Sequence, residues 1–595
     1  MARHRVANTG PVILAFLAVA VGVIAGLGAV VFRMLIGVVH NFGFLGEFNF
    51  AYDANHHTPA SPLGMWFILV PVAGSLVVAF LVSKFAPEAK GHGVPEVIDA
   101  VYYQRGLIRP AVAAVKAIAS SVSIGTGGAV GREGPIVQIG SAFGAVLGQM
   151  TRIPQWQRLT LVACGAGGGI AATFNTPIGG LLFAIELMMP EISVRTLIPV
   201  VLATGTATTV GRFAFGDNPA LHIPAFHLAP MPLLGIGALA SHVLLGALLG
   251  VAALVFIRSI YTSEDLFDRL PGSNYYTRHA TGMLLLGIEL YLFMYFTGHY
   301  YVQGVGYATV QDVLDSTLTN PYFLLLLFFA KLLATSLTLG SGASGGIFSP
   351  SLFLGATFGG AFALFAGKVM PSLQLDVATT ALVGMAAVVG AATGAAVTAV
   401  VMAFEMTRDY NVILPALITV SIAYGVRRKL LRQSIYDMKL VRRGHYIPEA
   451  LHTNMHLLDR VKRMIHSPIL RVAPSRAADR IARFIARHRQ LPDVVLVEDG
   501  KVLKVVPADE LVHHKPHELA QVLEEGGTDR YVVVSQKLQL IDLIAMMRET
   551  GCEAALVTPT GELHDPRQIK GLITWGDIAA QSNLPQPLLR AREAI

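Results

Sequence analysis

Hydrophobic residues in the first 430 positions occur in long runs rather than in the patterns of soluble domains. The runs lie at 11–31, 64–82, 231–257, 321–338 and 376–404. Several approach the roughly 20 residues that a helix needs to cross a bilayer. Other apolar stretches are shorter and are interrupted by Gly and Pro. Broken helices persist in lipid only where protein or a water-filled cavity surrounds them, so the pattern favours a transporter or channel over a simple receptor.

The composition supports a membrane protein: 53% of the 595 residues are hydrophobic and 14% are charged, whereas about a quarter is charged in soluble domains. Basic residues crowd between 427 and 443, which is typical of a cytoplasmic segment after the last span. Arg3 and Arg5 make the N-terminal segment positively charged as well. We expect a multi-pass protein in the lipid of a cell membrane, with both termini cytoplasmic. The short termini favour a prokaryotic inner membrane.

The net charge and the cysteine content give no indication of a nucleic-acid-binding protein, a disulfide or an enzyme. The connector explains most of the net charge of +7, so no nucleic acid partner is indicated. Cys164 and Cys552 lie in parts of different character and are not predicted to pair. Neither cysteine, nor any cluster of His and Asp, suggests catalysis, and we do not expect an enzyme.

The membrane part contains an internal repeat. GTGGAVGREGPIVQIGSAFG (125–144) aligns without a gap onto GSGASGGIFSPSLFLGATFG (340–359), and FAIELM (183–188) resembles MAFEMT (402–407). Duplicated halves are common in transporters. We therefore predict a polytopic α-helical domain at 1–430, built from repeats at about 11–215 and 231–427 with broken helices. We expect the repeats to be inverted, although matching letters do not show direction.

Each matched turn is a glycine-rich loop followed by Pro and an apolar helix, and KGHGVPEV (90–97) is a third turn of this type. Helix N-termini present unpaired N–H groups and the positive end of the dipole, and they attract anions. Glycine lets the backbone approach a ligand closely, and Pro in the first turn removes a donor that had no partner. Three such ends together predict an anion site within the membrane.

GHGVP (91–95), GREGP (131–135) and GGIFSP (345–350) resemble the three signature segments of the chloride channel (CLC) family of chloride channels and proton-coupled chloride transporters. GVGY (304–307) and SIYDMKL (434–440) fit further segments of that family. The resemblance implies that Glu133 is a gating carboxylate that competes with chloride in the anion path. It also implies a homodimer with one pore in each subunit, which carries chloride and similar anions. The implied anion-binding residues are His92, Gly93, Val94, Arg132, Gly134, Gly346, Ile347, Phe348 and Tyr436.

Two positions depart from the family pattern. His92 stands where the family usually has a serine, and either it donates an N–H to the anion or it swings aside. Leu187 follows Glu186, where the family's transporters commonly carry an inner acid, and leucine cannot relay a proton. Glu186 itself is interpreted as a structural carboxylate because Glu405 occupies the matching place. Glu289 is either a packing acid or part of an unconventional proton path.

These departures leave three candidate functions. The leading prediction is passive chloride conduction through a gated pore. The alternative is a chloride/proton antiporter with a non-standard proton route. A divalent-cation transporter is a third, but it would need clustered membrane acids as oxygen ligands.

After a basic connector at 431–459, residues 460–595 repeat again. IARFIARHRQLPDVVLVEDG (481–500) lies over IDLIAMMRETGCEAALVTPTG (541–561), each an amphipathic helix followed by a β-branched strand. This region resembles a cytoplasmic α/β tandem cystathionine-β-synthase (CBS) domain pair. In nucleotide-binding pairs a Ser or Thr stands three residues before an Asp, and Thr574 and Asp577 match. In the first copy, Val506 stands three residues before Asp509, so this copy lacks the hydroxyl residue. Both binding of an adenine nucleotide such as ATP and a purely structural or dimerising role therefore stay open.

Overall fold

The chain forms two compact units, residues 1–445 and 446–595. The computed structural model describes the following residues: 10–189, 192–217, 236–270, 274–370, 375–407, 410–445, 447, 460–465, 467–488, 491–511, 523 and 526–582. The second half of the predicted connector, 446–459, falls outside these ranges except for residue 447. Residues 431–445 belong to the first unit, so the segment that carries Tyr436 is part of the membrane unit.

The described elements of the first unit are helices. They are α1 (Pro11–His40), α2 (Leu69–Phe85), α3 (Val94–Tyr102), α4 (Pro110–Gly125), α5 (Glu133–Met150), α6 (Gln155–Phe174), α7 (Pro177–Phe183), α8 (Val194–Phe215), α9 (Ile236–Asp268), α10 (Tyr275–Thr297), α11 (Tyr307–Leu314), α12 (Pro321–Ser341), α13 (Phe348–Val369), α14 (Val377–Thr393), α15 (Ala396–Thr407), α16 (Ile413–Leu430) and α17 (Ile435–Val441). Within the described residues, seven helices are long and apolar enough to cross a membrane. Shorter apolar helices lie between these seven and after the last of them.

One apolar run of the sequence is two helices in the structure. Residues 376–404 divide into α14 and α15 at Gly394, whose φ is +87°. A residue in the left-handed region ends a helix, and glycine takes this conformation without a steric penalty. Hydrophobicity alone does not show the break, because the residues on both sides of Gly394 are apolar.

The two halves of the first unit cap each other's helices through a pair of matched carboxylates. Glu186 accepts hydrogen bonds from the backbone N–H groups of Val397 and Thr398, at 3.0 and 2.7 Å, at the start of α15. Glu405 accepts from Ile178 and Gly179, at 3.0 and 2.6 Å, at the start of α7. A carboxylate at a helix N-terminus satisfies N–H groups that have no partner within the helix. This reciprocal arrangement supports the structural interpretation of Glu186.

The second unit contains two small sheets of the same design. Its strands are β1 (Ile469–Val472), β2 (Asp493–Glu498), β3 (Lys501–Val506), β4 (Tyr531–Ser535), β5 (Ala554–Thr558) and β6 (Gly571–Thr574), and its helices are α18 (Ala477–His488), α19 (Ala508–Leu511), α20 (Leu540–Thr550) and α21 (Trp575–Ser582). In each sheet the first two strands are parallel and the third is antiparallel, with orders β1-β2-β3 and β4-β5-β6. A helix joins each parallel pair, as the repeated helix-then-strand pattern predicts. Val495 and Leu556 belong to a common core between the sheets.

Candidate anion site

Backbone hydrogen bonds join the three glycine-rich turns. Gly131 and Gly346 exchange two N–H···O bonds of 2.7 Å. The Gly91 N–H donates to the Ala343 carbonyl at 2.9 Å, and the Gly345 N–H donates to the Gly91 carbonyl at 3.2 Å. The N-termini of α3, α5 and α13 therefore meet at one place. The bridge between Gly131 and Gly346 is antiparallel, so the matched turns run in opposite directions, as inverted repeats require.

Glycine is necessary where these turns touch. A Cβ on Gly134 would lie 2.1 Å from the His92 carbonyl oxygen, and one on Gly346 would lie 2.7 Å from the Gly134 nitrogen. Gly93, the N-cap of α3, has a φ of +86°. Any larger residue at Gly134 must displace the backbone of the first turn. The glycines thus bring three sets of N–H groups close enough to surround one small anion.

Glu133 lies at the first position of α5 and is buried, with 1% of its surface exposed. Its Oε1 accepts hydrogen bonds from the hydroxyls of Tyr307 and Ser349, both at 2.5 Å. The Ser349 N–H lies 3.4 Å from Oε2, and the two hydroxyls are 2.8 Å apart. Donors on α11 and α13 therefore hold the carboxylate where the helix N-termini meet, a position suited to an anion.

Arg132 does not pair with this carboxylate. Its guanidinium lies 5.4 Å from the centre of the Tyr307 ring, and its buried Nε has no hydrogen-bond partner. The arginine therefore adds positive charge beside the site while the hydroxyls hold Glu133.

Two buried lysines fix the loops that lead into α3 and α11. The ammonium of Lys116 donates to the carbonyls of Ala89 and Gly91, at 2.9 and 2.7 Å. The ammonium of Lys331 donates to those of Val302 and Gly304, both at 2.8 Å. The two lysines are separated by the same 215 residues as the matched turns. Each loop is thereby held in a fixed position relative to the helix that carries its lysine, α4 for Lys116 and α12 for Lys331.

The other predicted anion ligands are buried around the same turns. Val94 begins α3, Ile347 is the N-cap of α13, and Phe348 begins α13. Tyr436 lies in α17, which packs against α3, and the charge of Glu133 acts on it. His92 is 4% exposed and its Nδ1 has no hydrogen-bond partner. The structure therefore places Val94, Ile347 and Phe348 at the joined helix ends, and it places His92 directly before α3. Tyr436 lies in the helix that packs against α3.

Two residues that contact Glu133 are not among the site residues predicted from the sequence. Tyr307 is the last residue of GVGY, and Ser349 lies within GGIFSP. The signal for Ser349 was its place beside a predicted helix N-terminus. The signal for Tyr307 was the glycine pair before it, because Gly304 and Gly306 resemble the loop that starts α3.

In the second unit, Thr574 and Asp577 are hydrogen-bonded to each other. The N–H and hydroxyl of Thr574 donate to Asp577 Oδ2 at 2.8 and 2.9 Å. This is ordinary capping geometry at the start of α21. Asp509 lies in α19, but its side chain falls outside the described residues.

Known proteins share both the sequence pattern and the fold. The family model described as voltage gated chloride channel matches residues 74–428. The H(+)/Cl(-) exchange transporter ClcA of Vibrio campbellii is 33% identical over 430 residues, 72% of this chain and 89% of that protein. ClcA of Yersinia pseudotuberculosis is 32% identical over 414 residues, 69% and 83% of the respective chains.

Solved structures agree with the sequence relatives. The structure of a slow cyanobacterial Cl−/H+ antiporter superposes with a TM-score of 0.62 at 27% identity, over 73% of this chain and 99% of that one. A eukaryotic CLC transporter superposes with a TM-score of 0.59 at 20% identity, over 95% of this chain and 97% of that one. At that identity the second likeness shows the fold alone, and it extends through both units.

Proposed function

Because the chain belongs to the voltage gated chloride channel family, we propose that it carries chloride across a membrane in exchange for protons. On sequence grounds, leucine at residue 187 favours passive conduction. The relatives described above are named as exchange transporters, and they favour the antiporter alternative. The observation that carries the proposal is Glu133, a titratable carboxylate that is buried at the anion site and bound by hydroxyls from both α11 and α13.

Glu133 serves in two states. As a carboxylate it accepts from Tyr307 and Ser349 and occupies the place of an anion. Protonation removes its charge and weakens these bonds, since hydrogen bonds to a charged group are about twice as strong as those to a neutral one. Chloride then displaces the side chain, and the released glutamic acid carries its proton toward the opposite solution. Chloride movement and proton movement are thus linked at one residue.

Exchange also needs a second titratable group, because Leu187 has no ionisable atom. We propose His92 for this role. It lies directly before α3, its carbonyl contacts Gly134 in the turn that carries Glu133, and its Nδ1 is free to accept a proton. Burial of the ring lowers the pKa of His92 well below its usual range, and the positive charges of Lys439, Lys116 and Arg443 lower it further. An anion beside the ring would offset this penalty, which ties protonation of His92 to the presence of chloride.

Glu289 is the other candidate for the second group. Both of its carboxylate oxygens lack hydrogen-bond partners, and the charge of Lys331 acts on it. It lies in α10, outside the three joined turns. It therefore serves as the comparison residue in the test.

Proteoliposomes with a chloride gradient and a pH-sensitive dye test the exchange. We expect chloride to drive protons uphill, and Glu133→Gln to keep chloride flux while abolishing proton movement. His92→Ser should likewise uncouple the protein, and Glu289→Gln should not. A reversal potential that follows the chloride gradient alone would overturn exchange in favour of a passive channel. Loss of coupling in Glu289→Gln but not in His92→Ser would transfer the second role to Glu289.

We propose further that the protein acts as a homodimer in a prokaryotic inner membrane, with both termini in the cytoplasm and no enzymatic activity. The basic segment after α16 supports this orientation. The second unit either regulates the first through an adenine nucleotide at Thr574 and Asp577 or has a purely structural or dimerising role. Cross-linking in the membrane and protease access from each side test these assignments.

A further inference from the structure

Helix α18 in the second unit has one buried face and one strongly basic face. Ala477 and Ile481 are 1% and 0% exposed and belong to the core of the first sheet. Four exposed arginines lie on the opposite side, three within α18 and one in the turn directly before it. They are spaced four, three and four residues apart, as along one side of a helix. We name them the arginine stripe: Arg476, Arg480, Arg483 and Arg487. At 1.5 Å per residue the stripe is about 16 Å long.

The described part of the chain supplies little negative charge to the stripe. Within it, no ion pair neutralises a stripe arginine, and Arg483 donates only to the backbone carbonyl of Asp479, at 3.2 Å. The exposed carboxylate of Asp479 flanks the stripe, which leaves a net charge of about three. Four neighbouring cations repel one another unless an anionic surface faces them.

The second copy of the repeat shows that the fold does not require this charge. The paired strands of the two copies are related by offsets of 62 and 61 residues, since Ile469 and Asp493 correspond to Tyr531 and Ala554. An offset of 62 in the helices places the buried Ile481 over the buried Leu543. It also places three stripe arginines over residues that are not buried in α20: Asp542, Ala545 and Glu549. The face that is basic in the first copy therefore carries two acids in the second.

We propose that the arginine stripe binds the anionic phospholipid headgroups of the bilayer that holds the first unit. Clusters of four or more basic residues on an amphipathic helix attract anionic lipid. The second unit is covalently joined to a membrane protein, so the effective concentration of the lipid surface is high. A row of exposed arginines fits a flat array of phosphates. This contact would hold the second unit at the membrane in proportion to its anionic lipid content.

Hydrogen exchange of the full-length chain in lipid nanodiscs tests the proposal. We expect amides of α18 to exchange several-fold more slowly in discs containing phosphatidylglycerol than in pure phosphatidylcholine discs. Raised salt should abolish the difference, because screening shortens the reach of surface charges. The combined variant Arg480→Gln, Arg483→Gln, Arg487→Gln should lose the protection.

A control variant removes the same number of exposed positive charges from the second copy, through Arg530→Gln, Lys537→Gln and Lys570→Gln. It should keep the protection. Unchanged exchange in strand β5 shows that each variant remains folded. Equal exchange of α18 in both lipids would overturn the proposal, and so would equal loss of protection in the two variants. Protection by an RNA oligonucleotide without protection by phosphatidylglycerol would instead identify a nucleic-acid surface and would also overturn it.

Discussion

The hydroxyl of Tyr307 should control how strongly Glu133 competes with chloride. Tyr307→Phe removes one of two short hydrogen bonds to Oε1 and leaves the ring in place. A hydrogen bond to a charged group contributes about 1.5–3 kcal/mol. Ser349 keeps its own bond to the same oxygen, so we expect the lower end of this range. Since each 1.4 kcal/mol is a factor of about ten, chloride should displace the carboxylate at about tenfold lower concentration.

Chloride-dependent efflux from proteoliposomes measures this shift, with Tyr300→Phe as the matched control. The hydroxyl of Tyr300 accepts from the Ser61 N–H at 3.1 Å, and its removal should leave the chloride dependence unchanged. A double-mutant cycle isolates the contact. In a Glu133→Ala background, Tyr307→Phe should have little effect, because the carboxylate that it restrains is gone. A shift of the same size in that background would refute the reasoning.

Three further outcomes are expected. Gly134→Ala should abolish chloride flux, because its Cβ would lie 2.1 Å from a backbone oxygen of the first turn; Gly367→Ala, which meets nothing within 4 Å, should not. Glu405→Gln should lower the free energy of unfolding by about 1 kcal/mol, measured by thermal melting, because the start of α7 loses its anionic cap. Asp577→Ala should weaken ATP binding by the full chain in calorimetry; absence of heat from the unmutated protein would favour the structural role of the second unit.

The glycine and proline patterns predicted the anion site because they encode backbone requirements. Only glycine permits the contact between Gly134 and the His92 carbonyl, so the motif records a distance that the fold must reach. The internal repeat was recognised from the same glycines and prolines, which match between 125–144 and 340–359. The break at Gly394 was not predicted, because a single glycine among small apolar residues is common in membrane helices and ends one only in a left-handed conformation.

The preference for a passive channel was drawn from one missing acid, and the relatives favour the alternative. Leucine at 187 shows that this position carries no proton. It says nothing about groups brought near Glu133 from distant parts of the chain. His92 is 41 residues from Glu133 in the sequence, yet its carbonyl contacts the adjacent Gly134. A proton route depends on which groups the fold brings together, and a local motif does not report this.

The pairing of Tyr307 with Glu133 follows from a difference between two otherwise equivalent loops. Gly93 and Gly306 are the N-caps of α3 and α11, with φ of +86° and +79°, and a buried lysine anchors each loop. The first helical residue is Val94 in one half and Tyr307 in the other. The same backbone therefore presents an apolar side chain in the first half and a hydroxyl to the carboxylate in the second. Comparison of the two halves, position by position, thus distinguishes the loop that lines the anion site from the loop that holds Glu133.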